Sequence, residues 1–220
     1  MRIGILGTGT VGQTLGSKLV TNGHEVMLGS RTKGKDKAVA WVKRAGKQSS
    51  EGTFADAATH GEIMFNCTGG RVSLEALAMA GRDNLAGKIL IDVANPLDFS
   101  KGMLPTLTIC NTDSLGEQIQ RNFPEAKVVK ALNTVNCDVM VAPDIVPGRH
   151  RLFICGNDED AKKRVTDFLS TEFGWKPGVV TDLGGIDAAR GTEMLLPFWV
   201  RLMMTIGHGH FNFEVRVGKQ

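Results

Sequence analysis

Not one of the 220 residues is tyrosine. Carbonyl reductases that take their proton from a Tyr–Lys pair, the short-chain dehydrogenases and aldo-keto reductases among them, are therefore excluded. Cysteine is sparse: Cys67, Cys110, Cys137 and Cys155 form no CxxC pair, which argues for free thiols rather than disulfides or a metal site. Cys137, which follows a strand end, stands out among them. Long apolar runs are missing too, so no membrane span is expected. The opening MRIGILGTG lacks the apolar stretch and cleavage site of a secretory leader and reads as a strand entering a turn, so a cytoplasmic location is expected. Basic residues crowd into one segment, 31–47, where seven Lys or Arg face a single acid, Asp36. Nucleic-acid binding would need basic residues in several segments with aromatics among them, so no nucleic-acid partner is expected.

What is present is an alternation of short β-branched runs with helical stretches, the pattern of a parallel α/β sheet. Strands are expected at 2–6, 24–28, 52–54, 62–67, 88–93, 127–132, 151–155 and 177–183. Helices are expected at 11–22, 35–45, 73–81, 114–122, 160–173 and 187–206, the last kinked or broken by Pro197. Ser114 and Glu117 have capping-box spacing. The fold class is a doubly wound, mostly parallel sheet of Rossmann type with a C-terminal helical elaboration. One domain is expected over 1–220. A dinucleotide-binding core would occupy about 1–145, and 146–220 would complete an acceptor cleft or a dimer interface.

Gly7-Thr8-Gly9-Thr10-Val11-Gly12 fits GxGxxG. The motif alone is weak, but here it leaves a strand and opens a helix. Gly7 permits the tight turn, Gly9 lets a pyrophosphate approach the backbone, and Gly12 lets the helix pack on the strand. The helix N-terminus then offers free N–H groups to phosphate. NAD-binding chains place an Asp or Glu about 20 residues on, at the end of the second strand, to hold the ribose. Here that position reads Gly29-Ser30-Arg31-Thr32, without a carboxylate. Ser30 and Thr32 can donate hydroxyl hydrogen bonds to a 2′-phosphate, Arg31 can fork onto it or stack on adenine, and Lys33 and Lys35 add screened attraction. NADP is the expected cofactor.

Further contacts belong at the carboxyl ends of later strands. Thr68 and Gly69 follow one strand, Asn95 and Pro96 a second, Asn133 and Thr134 a third. Asn95 and Asn133 are placed to meet a ribose or carboxamide, though each can instead cap a turn.

The segments IGILGTGTVG at 3–12, GSRT at 29–32, DVANPL at 92–97, VVKALNTV at 128–135 and AARGTEMLLPFWVRL at 188–202 carry a resemblance that covers nearly the whole chain. The chain resembles the NADP-dependent oxidoreductases of coenzyme F420, a deazaflavin, and the dinucleotide domain of the STEAP ferric reductases. The resemblance implies that GSRT holds the NADP phosphate, that the Asn–Pro and Asn–Thr segments line the nicotinamide side, and that the protein is a homodimer. The second substrate would be a small-molecule hydride acceptor, coenzyme F420 or a flavin.

Hydride transfer between stacked rings needs little proton chemistry from the protein. The sequence fits that economy, with no persuasive His–carboxylate pair at a strand end, and no catalytic residue is singled out. The acceptor is expected between the strand ends and residues 187–217. An imine or ketone reductase and a non-catalytic NADPH sensor are the alternatives. His208 and His210 form an HxH pair with no obvious third ligand, so no metal is expected. Arg190 and Glu193 read as a helix-surface ion pair.

Overall fold

The structure, a computed structural model, describes residues 1–218. The first half runs β1 (Arg2–Leu6), α1 (Thr10–Thr21), β2 (Glu25–Ser30), α2 (Asp36–Ala45), β3 (Ser49–Thr53), α3 (Phe54–His60), β4 (Ile63–Asn66), α4 (Ser73–Ala80), α5 (Arg82–Leu85) and β5 (Ile89–Asp92). The second half runs β6 (Leu97–Asp98), β7 (Thr106–Leu107), α6 (Leu115–Asn122), β8 (Lys127–Ala131), α7 (Cys137–Val141), β9 (Leu152–Gly156), α8 (Glu159–Phe173), β10 (Val180–Asp182), α9 (Ala189–Met194) and α10 (Leu196–Ile206).

Eight strands form one sheet in the order β10-β9-β8-β5-β4-β1-β2-β3. The chain winds outward from β1 to β3, then crosses back to lay β4 on the other side of β1. That reversal opens a crevice above the carboxyl ends of β1 and β4, where doubly wound sheets bind ligands. β9 pairs antiparallel with β8 and β10 parallel with β9, so these two strands run against the other six.

Both faces of the sheet are covered, which is why its central strands β1, β4, β5 and β8 are largely apolar. Ile3, Ile5, Phe65, Ile91 and Val129 point into one core with Leu15, Leu19 and Trp41. Their neighbours Leu6, Met64, Leu90 and Val128 point into the other, with Ala57, Leu77 and Ile119. The two-residue period of the strand sorts them.

Three expected elements differ by more than a residue or two. Phe54 opens a helix instead of ending a strand: Thr53 accepts from the Asp56 N–H at 3.1 Å and the Asp56 carboxylate accepts from the Thr53 N–H at 2.8 Å, a complete capping box. The final strand shrinks to Val180–Asp182. The final helix is two helices meeting at Leu195, with Pro197 in the first turn of α10, where a missing N–H breaks no helical bond.

The tail after Gly207 forms no strand among the described residues. It lies back on the domain. Phe211 stacks on Trp199 at 5.1 Å, and the Phe213 carbonyl accepts from the Arg151 N–H at 2.7 Å. His210 Nε2 lies 3.0 Å from an Asp138 carboxylate oxygen. The His208 Nδ1 accepts from the His210 backbone N–H. No cluster of three metal-ligating side chains occurs among the described residues.

Candidate active site

The glycine loop is shaped by collision. A Cβ on Gly7, whose φ is +119°, would sit 2.6 Å from the Cys67 carbonyl oxygen, and one on Gly12 would sit 2.4 Å from the Gly7 carbonyl oxygen. Gly9 differs: a Cβ there would meet nothing within 4 Å. The space above Gly9 is therefore open toward solvent, while Gly7 and Gly12 are closed by protein. Gly9 is the N-cap of α1 and supplies no side-chain cap, so the first N–H groups of that helix are unclaimed by a capping side chain. Open space above uncapped N–H groups is what a pyrophosphate requires.

A cleft of about 310 Å³ extends from this loop to Ser30, Arg31 and Lys35, with Lys37 beside them. Its far wall is α4 and the turn that leads into it, with Val72 just before the helix and Ala76 and Met79 on it. Val72 and Met79 are exposed although large and apolar, which suits them to cover a flat base. The stretch Gly70–Val72 is a candidate cleft wall from the sequence alone, whereas Met79 is not picked out there, and its place seven residues after Val72 was the available signal.

The turn after β2 is held by its own hydrogen bonds. The Ser30 hydroxyl donates to the Thr32 carbonyl at 2.6 Å, and the Glu51 carboxylate accepts from the Gly34 N–H at 2.9 Å. Ser30 is buried, so its proton is engaged in holding the turn. Thr32 and Lys33 are exposed and lie outside the cleft lining, and the cations that line the cleft are Arg31, Lys35 and Lys37.

A second cleft of about 430 Å³ shares Cys67, Thr68 and Gly69 with the first and runs on to Val11, Asn95, Leu97 and Phe99. Thr10 lies on the other flank of the glycine loop, facing a groove between α1 and α2. The two strand-end clefts meet at Thr68 and Gly69. Burial raises the pKa of the Cys67 thiol far above its ordinary value, and the Asp92 carboxylate adds to the effect. Cys67 is therefore a packing group there, with no thiolate to offer.

Asn95 and Asn133 bond to each other. Asn95 Nδ2 donates to the Asn133 carbonyl at 2.8 Å, and Asn133 Nδ2 donates to Asn95 Oδ1 at 2.9 Å. Pro96 accepts from the Thr108 N–H at 2.8 Å, which anchors the β6–β7 hairpin. Asn133 and Thr134 are buried and border neither strand-end cleft; Asn133 Oδ1 and Thr134 Oγ1 have no hydrogen-bond partner among the described residues. Leu132, directly before them, takes a φ of +63°, an uncommon conformation for a residue with a Cβ.

Arg190 and Glu193 are not a surface pair. Arg190 forks onto Glu117 of α6, at 2.9 and 2.5 Å. Glu193 is buried and its carboxylate accepts from the Leu115 and Gly116 N–H groups at 2.8 and 3.0 Å, capping α6. Helix α9 is thus a clasp on α6, and the i,i+3 spacing serves two partners across the interface. Glu117 turns to the Ser114 hydroxyl and Arg190, so only the Ser114 half of the expected capping box forms.

Residues 2–96 match the family described as NADP oxidoreductase, coenzyme F420-dependent. The F420-dependent NADP reductase of Methanocaldococcus jannaschii is 30% identical over 213 residues, which cover 92% of each chain. The chain belongs to the F420-dependent NADP oxidoreductase family. A solved structure of a family protein from Arthrobacter sp. FB24, provisionally assigned as an F420-dependent NADP reductase, superimposes with a TM-score of 0.93. It is 48% identical, and the alignment covers 99% of this chain and 100% of that one. The rat metalloreductase STEAP3 is 30% identical over 216 residues, 94% of this chain. The match spans only 39% of that longer protein. No described helix is long and apolar enough to cross a membrane.

Proposed function

We propose that this protein is an NADPH-dependent oxidoreductase that moves a hydride between NADP(H) and coenzyme F420. The observation that carries the reading is the meeting of two clefts at Thr68 and Gly69. One leads to a cationic turn where the end of β2 carries no carboxylate, and the other to an apolar wall at Leu97 and Phe99. The family relative from M. jannaschii, named for F420 and NADP, has the same extent. Arg31, Lys35 and Lys37 would hold the 2′-phosphate, Gly9 and the α1 N-terminus the pyrophosphate, and the Thr68 and Asn95 loops the nicotinamide end. When bound, the nicotinamide supplies the hydride chemistry; the protein's part is to order the two clefts around it.

A homodimer belongs to the same reading. Phe99, Met103 and Leu104 near the β6–β7 hairpin are exposed, as are Met194 and Phe198 on α9 and α10. Apolar side chains of that size in two nearby segments suit a second copy.

The test is NADPH oxidation under anaerobic conditions with F420, FMN or a ferric chelate as acceptor. Turnover preferring F420 is expected. Preference for iron would move the protein toward the activity named for STEAP3, and preference for FMN would make it a flavin reductase. Tight NADPH binding with no turnover on any acceptor would leave a nucleotide sensor.

A further inference from the structure

Beneath the strand-end loops lies a buried chain of charge. Lys130 is 1% exposed, and its ammonium donates to Asp92 at 2.8 Å, to Glu193 at 2.7 Å and to the Ala94 carbonyl at 2.5 Å. Burial alone would lower the pKa of Lys130, but the two carboxylates outweigh it and hold the ammonium charged. The second carboxylate would leave an excess negative charge in the interior. It is met by the N-terminus of α6, which donates two N–H groups to Glu193.

The chain continues toward the cofactor cleft. Asp92 Oδ1 accepts from Asn66 Nδ2 at 2.8 Å, and Asn66 Oδ1 accepts from the Thr68 hydroxyl at 2.7 Å. Asn66 and Asp92 are both fully buried. At its other branch the Ala94 carbonyl fixes the backbone one residue before Asn95. One lysine therefore ties together the loops after β4 and β5, and α9 holds the lysine from behind.

A polar chain this deep needs a reason. A single buried ion pair is commonly replaceable by apolar residues without loss of stability, and here four buried polar side chains run in series and end at Thr68, where the two clefts meet.

We propose that Lys130, Asp92 and Glu193 are positioning residues that set Thr68 and Asn95 for the nicotinamide half of the dinucleotide, so that helix α9 controls that half of the site from outside it. The inference rests on the dinucleotide reading given above. It assigns no contact between these three residues and the ligand.

Lys130→Met would strand two buried carboxylates and is expected to unfold the protein. The test therefore uses Glu193→Gln and, independently, Asp92→Asn, each first checked for a cooperative thermal transition. Binding is measured by calorimetry for NADP⁺ and for 2′,5′-ADP, which carries the 2′-phosphate and adenine but no nicotinamide. Wild type should bind both. In either variant NADP⁺ affinity should fall by about five- to tenfold while 2′,5′-ADP affinity stays within about twofold. Equal losses for both ligands would mean general loosening, and no loss for either would mean a purely structural chain; both overturn the proposal. A wild-type protein that binds neither ligand would instead remove the dinucleotide reading itself.

Discussion

Asn133 donates its side-chain amide to Asn95, and Asn95 returns the bond to the Asn133 backbone, so the loops after β5 and β8 are latched by two hydrogen bonds of 2.9 and 2.8 Å. Leu132, directly before the latch, takes a left-handed backbone that costs about 1–3 kcal/mol. Asn133→Ala breaks one bond and leaves Asn95 Oδ1 without its donor. A destabilisation of about 1–2 kcal/mol is expected, lowering Tm by roughly 2–8 °C in a chain of this size. Scanning calorimetry of the variant beside wild type gives the answer. An unchanged Tm would mean that the latch carries no weight.

Arg31 faces the cleft proposed for the 2′-phosphate with Lys35 and Lys37, and no carboxylate lies at the end of β2. Arg31→Glu removes a charge-assisted donor and places an acid near the ribose. NADPH affinity should drop by about 10–100-fold, while NADH affinity holds or improves. Raising the salt concentration should weaken NADPH binding to wild type more than NADH binding, because only the former has the extra phosphate charge to screen. Equal affinities for the two nucleotides in wild type would contradict the assignment.

Two glycines of the same motif should behave oppositely. At Gly9 an added Cβ has open space, and the backbone φ of −78° suits any residue. Gly9→Ala should therefore leave stability within about 0.5 kcal/mol yet weaken dinucleotide binding about tenfold or more, since the methyl group takes the space of the pyrophosphate. At Gly12 the Cβ would meet the Gly7 carbonyl oxygen at 2.4 Å. Gly12→Ala should cost about 1–3 kcal/mol before any ligand is added. Melting curves with and without NADP⁺ separate the two effects: Gly9→Ala loses the ligand-induced shift, and Gly12→Ala loses the baseline.

The elements most legible in the sequence were those whose signal is local. Arg2–Leu6 is a strand with those bounds because an unbroken apolar run meets the glycine turn. Helix α3 was missed because FADAATH shows only a short apolar pattern. It is helical through its Thr53–Asp56 cap and because Gly4 and Gly29, lacking Cβ atoms, let Ala57 lie close on the sheet. The charge chain was missed for another reason. Asp92 and Lys130 each interrupt an apolar strand, which is visible in LIDVAN and VVKALN. Their partner Glu193 comes from 63 positions later than Lys130, and only the fold brings the three together. Glycine spacing and the missing ribose acid could be read along the chain, whereas the pairing of Arg190 with Glu117 required α9 to lie against α6.

The clasp between α9 and α6 predicts an acid sensitivity with a definite sign. Arg190 donates to Glu117 through two nitrogens, and this bonding, with help from Ser114 and against the cost of burial, lowers the Glu117 pKa below its ordinary 4.5. A carboxylate with a lowered folded pKa stabilises the fold fully above 4.5 and loses that contribution as the pH falls through the folded value. Asp113 adds to the same window: Arg121 holds its pKa down to about 2. Thermal stability should therefore be flat around neutrality and decline as the pH drops below about 4.5 toward 2. Glu117→Gln cannot form the ion pair at any pH. It should be less stable than wild type by about 1–3 kcal/mol near neutrality, with the gap narrowing as acid protonates the wild-type carboxylate. Tm measured for both proteins from neutral to acidic pH tests this directly. A gap that stays constant down the series would show that the clasp works by shape alone, without the charge on Glu117.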